Sequence, residues 1–308
     1  MVMARAIERR LWVLDRFDHI PQSLRVTGFE AVQVAAAAAL QRGSDWVVPC
    51  RLDLALCLAM GLSPLDVMLS IFGRGADPAS GARQAPGAFG SRAARIVMTS
   101  ASAGRHVVQA AGIAYASKVQ GFNEVTLVCT DERGTQSGDW HEGMNFAGAH
   151  ALPLVCLIED RAGDEGPIPQ NWLGSPIARA EGYGLAAEAI DGGDFVDAFA
   201  AFRRATARAR TGGGPTVIHA PVVDLTSRKP GGGLRPPEEL EALAALDPVE
   251  RMRRRLLAAG ALDESADDNL QRECAGVVRT AVEQAMAAPS PEGPQALDNV
   301  LWRRPDDA

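Results

Sequence analysis

The groups in this chain that could do chemistry sit in acidic turns that close apolar runs. The run beginning at Val125 ends in two adjacent carboxylates, Asp131 and Glu132, and the run beginning at Leu154 ends in the polar triplet Glu159, Asp160 and Arg161. Between the two runs, residues Trp140 to His150 read as a helix. Two strands joined by a helix lie parallel, so their carboxyl-terminal turns can stand side by side and each lend a side chain to one ion. Carboxylate oxygens are the hard ligands that a divalent cation takes. Of the five histidines, His19 and His219 have no acidic or cysteine companion at ligand spacing and read as structural, whereas His141 and His150 read as surface or interface groups. The triplet Gly231-Gly232-Gly233 is not a phosphate loop, because no strand leads into it and no Lys-Ser/Thr opens a helix after it. It reads as a mobile loop instead.

The elements that must hold these groups follow from periodicity. Ala4 to Phe17 sets Ile7, Leu11, Leu14 and Phe17 on one helical face, and Glu30 to Gln41 is an alanine-rich helix. Asp53 to Met60 and Leu65 to Phe72 are two further helices, the second opened by Ser63-Pro64. Gly73 to Arg92 reads as a long ordered loop. Ile96 to Met98, Val125 to Cys129, Leu154 to Ile158 and Thr216 to His219 read as buried strands, with helices over Val107 to Val119 and Phe195 to Ala209. Near-continuous apolar strands separated by helices predict an α/β protein with a parallel sheet flanked by helices, ending in a charged helical tail from about Pro248. The net charge of −7 argues against a nucleic-acid surface, and no apolar run approaches a membrane span. The start of the chain lacks the apolar region of a signal peptide. Five scattered cysteines without a CxxC pair, Cys129 and Cys156 inside strands, fit reduced core thiols. Together these features predict a soluble, cytoplasmic protein.

The segment Ser137-Gly138-Asp139-Trp140, followed by Gly143 to Ala147, resembles the helix after the cofactor motif in α subunits of the E1 component of 2-oxo acid dehydrogenases, above all bacterial branched-chain members. The same resemblance runs in order through Gly28 to Ala31, Arg42 to Pro49, Gly75 to Gln84, Ala110 to Gly112, Ile190 to Asp194, Ala207 to Pro215 and Arg235 to Glu239. Singly these motifs are weak; their ordered set is strong. The resemblance implies the thiamine-diphosphate-binding fold over residues 1–245, with residues 246–308 a helical C-terminal extension of the same unit. It implies thiamine diphosphate and Mg as cofactors, and an E1 β-type subunit as partner in a heterotetramer. It also implies a small 2-oxo acid substrate whose acyl group passes to a lipoyl-bearing E2 component.

The chain departs from that family where the chemistry lies. Its Gly-Asp-Gly motif falls on Asp131-Glu132-Arg133 and its Asn-Asn pair on Asp160-Arg161. Glu132 is then the candidate metal ligand, with Asp131 and Asp160 as the alternative pair. A third reading is an ion pair between Glu132 and Arg161 across an emptied site, since a guanidinium cannot coordinate a metal. The diphosphate anchor Tyr-Arg-Asp-His-Gly aligns with Arg51 to Ala55, which leaves Asp53 in place and Arg51 for a phosphate contact. Both active-site loop histidines are replaced, one in the Pro86 to Gly90 segment, at Ala88, and one in Leu225-Thr226. His106 matches a family position and is the candidate for a substrate-site role. The reading is an E1 α-type subunit with a degenerate cofactor site, a weakly active protein or a pseudoenzyme scaffold for a β partner. The alternatives are a specialised thiamine-diphosphate enzyme of acyl transfer or carboligation, and a purely structural partner-binding protein.

Overall fold

A computed structural model describes residues 1–20, 24, 26–50, 53–98, 104–161, 174–225 and 235–297. Arg51, Leu52, Thr226 and the Gly231 to Gly233 triplet lie outside the described residues. Five parallel strands form one sheet: β1 (Trp46–Val48), β2 (Thr126–Asp131), β3 (Leu154–Arg161), β4 (Ala186–Ala189) and β5 (Thr216–Val222). Their spatial order is β1-β2-β3-β5-β4. The helices are α1 (Val2–Arg16), α2 (Glu30–Ala38), α3 (Leu54–Met60), α4 (Pro64–Ile71), α5 (His106–Val119) and α6 (Gly138–Ala149). They continue with α7 (Pro176–Gly182), α8 (Phe195–Arg210), α9 (Pro237–Ala244), α10 (Pro248–Ala258) and α11 (Glu264–Ala287).

Strand order decides which helix covers which face. From β1 through β4 the chain moves one way across the sheet, and only the step from β4 to β5 reverses. Right-handed crossovers therefore put α5, α6 and α7 on one face and α8 on the other. The core follows this rule. Val107, Trp140, Met144 and Ala180 pack with Leu154, Cys156 and Ile158 on one side. Phe202 and Ala205 of α8 share the opposite side with α1 to α4, α11, Val155 and Leu157. Alternation along β3 thus sends successive residues to opposite layers, and Leu154 to Glu159 are all buried.

Local chemistry starts and stops the helices. Ser63 accepts from the Asp66 N–H, and Asp66 returns a bond to Ser63, closing a capping box behind Pro64 at the start of α4. Asp194 caps α8, Asp247 caps α10 and Asp263 caps α11, each carboxylate accepting from first-turn backbone N–H groups. Arg5 of α1 donates to Glu30 of α2 at 2.6 Å and to Asp247 at 2.8 Å, so three distant segments share one buried cation. Among the described residues no helix is long and apolar enough to cross a membrane.

Two expectations need correction, and one strand was not foreseen. Ile96 makes only isolated bridges, to Val47 and Ser91, because Arg95 before it has a left-handed φ of 56° and breaks the run. Phe17 is 68% exposed, since α1 ends at Arg16 and Asp18 turns the chain with φ 54°. Strand β4, Ala-Ala-Glu-Ala, carries no β-branched residue and escapes a propensity reading; its position at the sheet edge forms it.

Candidate functional site

At the carboxyl ends of β1, β2, β3 and β5 the acidic turns converge, and the pleat of β3 sorts them into two groups. Glu159 points to the α2 side of the sheet. Its Oε1 accepts from Gln33 Nε2 at 3.0 Å, and the same amide lies 3.4 Å from Asp53 Oδ1. Gln33 Oε1 accepts from the Ala55 N–H at 3.1 Å, which fixes the amide's orientation. Asp53 Oδ2 accepts from the Cys50 N–H at 2.7 Å, while Cys50 Sγ stands 3.1 Å from Asp53 Oδ1. One ligand atom each from Cys50, Asp53 and Glu159 lie within 4.8 Å of one another, close enough to face a single ion or proton. Burial and the adjacent Asp53 carboxylate push the Glu159 carboxyl well above the usual glutamate range. Arg161, two residues on and on the same side, lays its guanidinium 5.2 Å from the centre of the Phe29 ring.

Asp160 points to the α5–α6 side. Its Oδ2 lies 2.9 Å from His219 Nε2 on the neighbouring strand β5. Its carboxyl also shares a hydrogen bond with Glu132, and the His219 contact holds it below the usual aspartate range. Glu132 in turn acts on Arg179, whose guanidinium donates to Thr135 Oγ1 at 2.5 Å and stands 5.7 Å from the centre of the Trp140 ring. Asp131 takes a separate part. Its Oδ1 accepts from the Gly134 N–H at 2.8 Å and so ties the end of β2 to the short helical turn Arg133–Gln136.

The sequence-derived candidates are therefore redistributed. Glu132 and Asp160 come together. Arg161 faces the other layer, against Phe29, and Asp131 lies opposite Glu159 in register rather than opposite Asp160. His106 is 2% exposed; its Nε2 lies 2.5 Å from the Cys129 carbonyl, and its Nδ1 finds no partner among the described residues. That ring holds the start of α5 to β2. Arg51 lies outside the described residues. Sequence reasoning missed His219 and Gln33. His219 was read as structural because its partner is 59 residues away in sequence and adjacent only through the sheet order. Gln33 carried a usable signal: it is a polar, fully buried residue in an otherwise alanine-rich helix.

A divalent ion on a diphosphate is commonly held by one or two carboxylates together with the phosphate oxygens. Here the two adjoining donors, Glu132 and Asp160, are both acids, and Asp160 is already engaged by His219. Glu159 and Asp53 add two more carboxyl groups behind them.

The family of the dehydrogenase E1 component matches residues 1–293. The chain is 35% identical over 305 residues to the 2-oxoisovalerate dehydrogenase subunit alpha of Bacillus subtilis, covering 97% of this chain and 92% of that one. It is 28% identical over 275 residues to the 3-methyl-2-oxobutanoate dehydrogenase subunit alpha of Mycobacterium tuberculosis, covering 88% and 72%. It is 29% identical over 261 residues to the pyruvate dehydrogenase E1 component subunit alpha of Acholeplasma laidlawii, covering 80% and 70%. With the match spanning nearly the full length of both chains, this protein belongs to the dehydrogenase E1 component family, on the side of its α subunits.

Proposed function

We propose that this E1 α-type subunit keeps the fold and the partner-holding role of its family, while its own thiamine-diphosphate and metal site has been rebuilt into an internal carboxyl–histidine cluster. The observation that carries this reading is the Asp160–His219 contact beside Glu132. His219 and two acids engage one another at the strand ends, the place from which a metal ligand would have to come. Exposed apolar groups support the partner-holding half. Tyr115, Phe146 and His150 pack as tilted rings between α5 and the end of α6, with ring centroids 5.5 and 4.4 Å apart along the series Tyr115–Phe146–His150. Val119 and Phe122 continue this apolar surface at 67% and 53% exposure. A β-type subunit is the partner of that chemistry in this reading, with a 2-oxo acid as the substrate class of the assembly.

A second reading has one observation in its favour: Glu132 and Asp160 still present hard oxygens side by side. In that case the chain binds the cofactor in a non-standard way and serves acyl transfer or carboligation on a specialised 2-oxo acid. Titration calorimetry separates the two, using the chain co-expressed with its β-type partner and adding thiamine diphosphate with Mg²⁺. The expected outcome is a stable heteromer that gives no Mg²⁺-dependent heat attributable to this chain. Stoichiometric, Mg²⁺-dependent binding that is lost in Glu132→Gln overturns the proposal in favour of the second reading.

A further inference from the structure

A cleft of about 860 Å³ opens between α1, α10 and α11, and none of the strand-end residues lines it. Its size falls in the range of roughly 300–1,000 Å³ typical of small-ligand pockets. Aliphatic side chains make its walls, among them Val13, Val34, Met252, Leu256, Leu270 and Val278. The charges around it do not balance, because five arginines stand against three carboxylates. Asp247 is engaged by Arg5 at 2.8 Å, and Arg253 engages Asp267 at 2.7 Å and Glu250 at 4.0 Å. That uses every acid of the lining. Arg9, Arg10 and Arg279 have no ion pair among the described residues, and the Nε of Arg10 is buried with no hydrogen-bond partner. A buried guanidinium nitrogen without an acceptor is costly, and an arriving anion removes that cost.

We propose that this cleft binds an amphiphilic anion, a single alkyl or acyl chain lying along the aliphatic walls with a carboxylate or phosphate head held by Arg9, Arg10 and Arg279. Apolar walls exclude a small hydrophilic anion, and the unpaired arginines select against neutral and cationic chains. The site is independent of the strand-end cluster and of the role proposed for it.

Titration calorimetry on the full chain tests this, with decanoate and decyl phosphate below their micellar concentrations as probes and decyltrimethylammonium as the charge-reversed control. One anionic chain per protein is expected, with affinity at least tenfold above that of the cationic chain. The triple variant R9Q/R10Q/R279Q, checked for an unchanged melting temperature, should lose at least tenfold in affinity for the anionic probe. Leu270→Asp places a carboxylate at a 41% exposed wall position and should abolish anion binding while sparing the fold. Failure of both anionic probes to bind the folded chain, equal affinity for the cationic chain, or unchanged affinity in the triple variant each overturns the proposal.

Discussion

At the scale of single residues, the strand-end site is a problem of buried negative charge, solved differently on the two faces of β3. On the α2 side burial favours the protonated form of an acid. Glu159 is buried beside Asp53, and its carboxyl is pushed well above the usual range. On the α5–α6 side His219 solves it, holding Asp160 below the usual range. The two groups therefore have opposite signs in the dependence of stability on pH. A carboxyl raised in the folded state contributes stability below the ordinary glutamate pKa, and that contribution is lost as pH rises towards its folded value. A carboxyl lowered in the folded state contributes above the ordinary aspartate pKa and loses the contribution as pH falls. Glu159→Gln mimics the protonated form and keeps an acceptor for Gln33. Thermal melts from pH 4.5 to 8.5 should show the variant close to the parent at the acid end and increasingly more stable above it. A variant that melts well below the parent at every pH would mean that the ionised carboxylate, not the acid, is the native form.

At the scale of elements, the alternation of β3 separates Asp160 from Arg161, although the two are adjacent in sequence. A one-residue shift in register would exchange every side chain between layers, so Leu154, Cys156 and Ile158 on one face, and Val155 and Leu157 on the other, lock the polar triplet in place. The entry to α2 is equally constrained. Gly28 has φ 107°, and a Cβ there would lie 1.6 Å from the Val223 carbonyl oxygen at the end of β5. Its N–H donates to Glu30 Oε2 at 2.8 Å, so the turn also orients the carboxylate that Arg5 needs. Gly28→Ala should cost about 3 kcal/mol or more, through backbone strain and forced displacement of β5. Chemical denaturation would register it as a large fall in midpoint, accompanied by loosening of α1. A near-neutral result would mean that the turn and the strand end do not approach as closely as this.

At the scale of the whole molecule, the N-terminal and C-terminal helices complete one core rather than flanking it. Ile7 and Leu11 of α1 share a buried cluster with Val278 and Val282 of α11. The surface left uncovered on α5 and just beyond it is apolar where a monomer would ordinarily be polar. Val119→Asp combined with Phe122→Asp should leave the melting temperature of the isolated chain nearly unchanged, because exposed substitutions usually shift stability by only about 0.5 kcal/mol. In sedimentation velocity the same double variant should shift the co-expressed β-type partner from the heteromer to separate species. Retention of the full heteromer peak would remove this patch from the interface.

Much of this protein is legible in the amino-acid sequence. The apolar runs of β2, β3 and β5, the helices between them, and the ordered motifs from Gly28 to Glu239 identify the parallel sheet and the family, because periodicity and motif order are local properties of the chain. The convergence of Asp131, Glu132, Asp160 and Arg161 at strand ends was readable for the same reason. Their pairing was not. Glu132 meets Asp160 while Arg161 turns to Phe29, because the pleat assigns neighbouring residues to opposite layers. His219 joins Asp160 because β5 inserts between β3 and β4. The sequence by itself determined which groups crowd the carboxyl edge of the sheet. Only the tertiary structure decided which of them neutralise one another, since charge compensation depends on distances that strand order and register create.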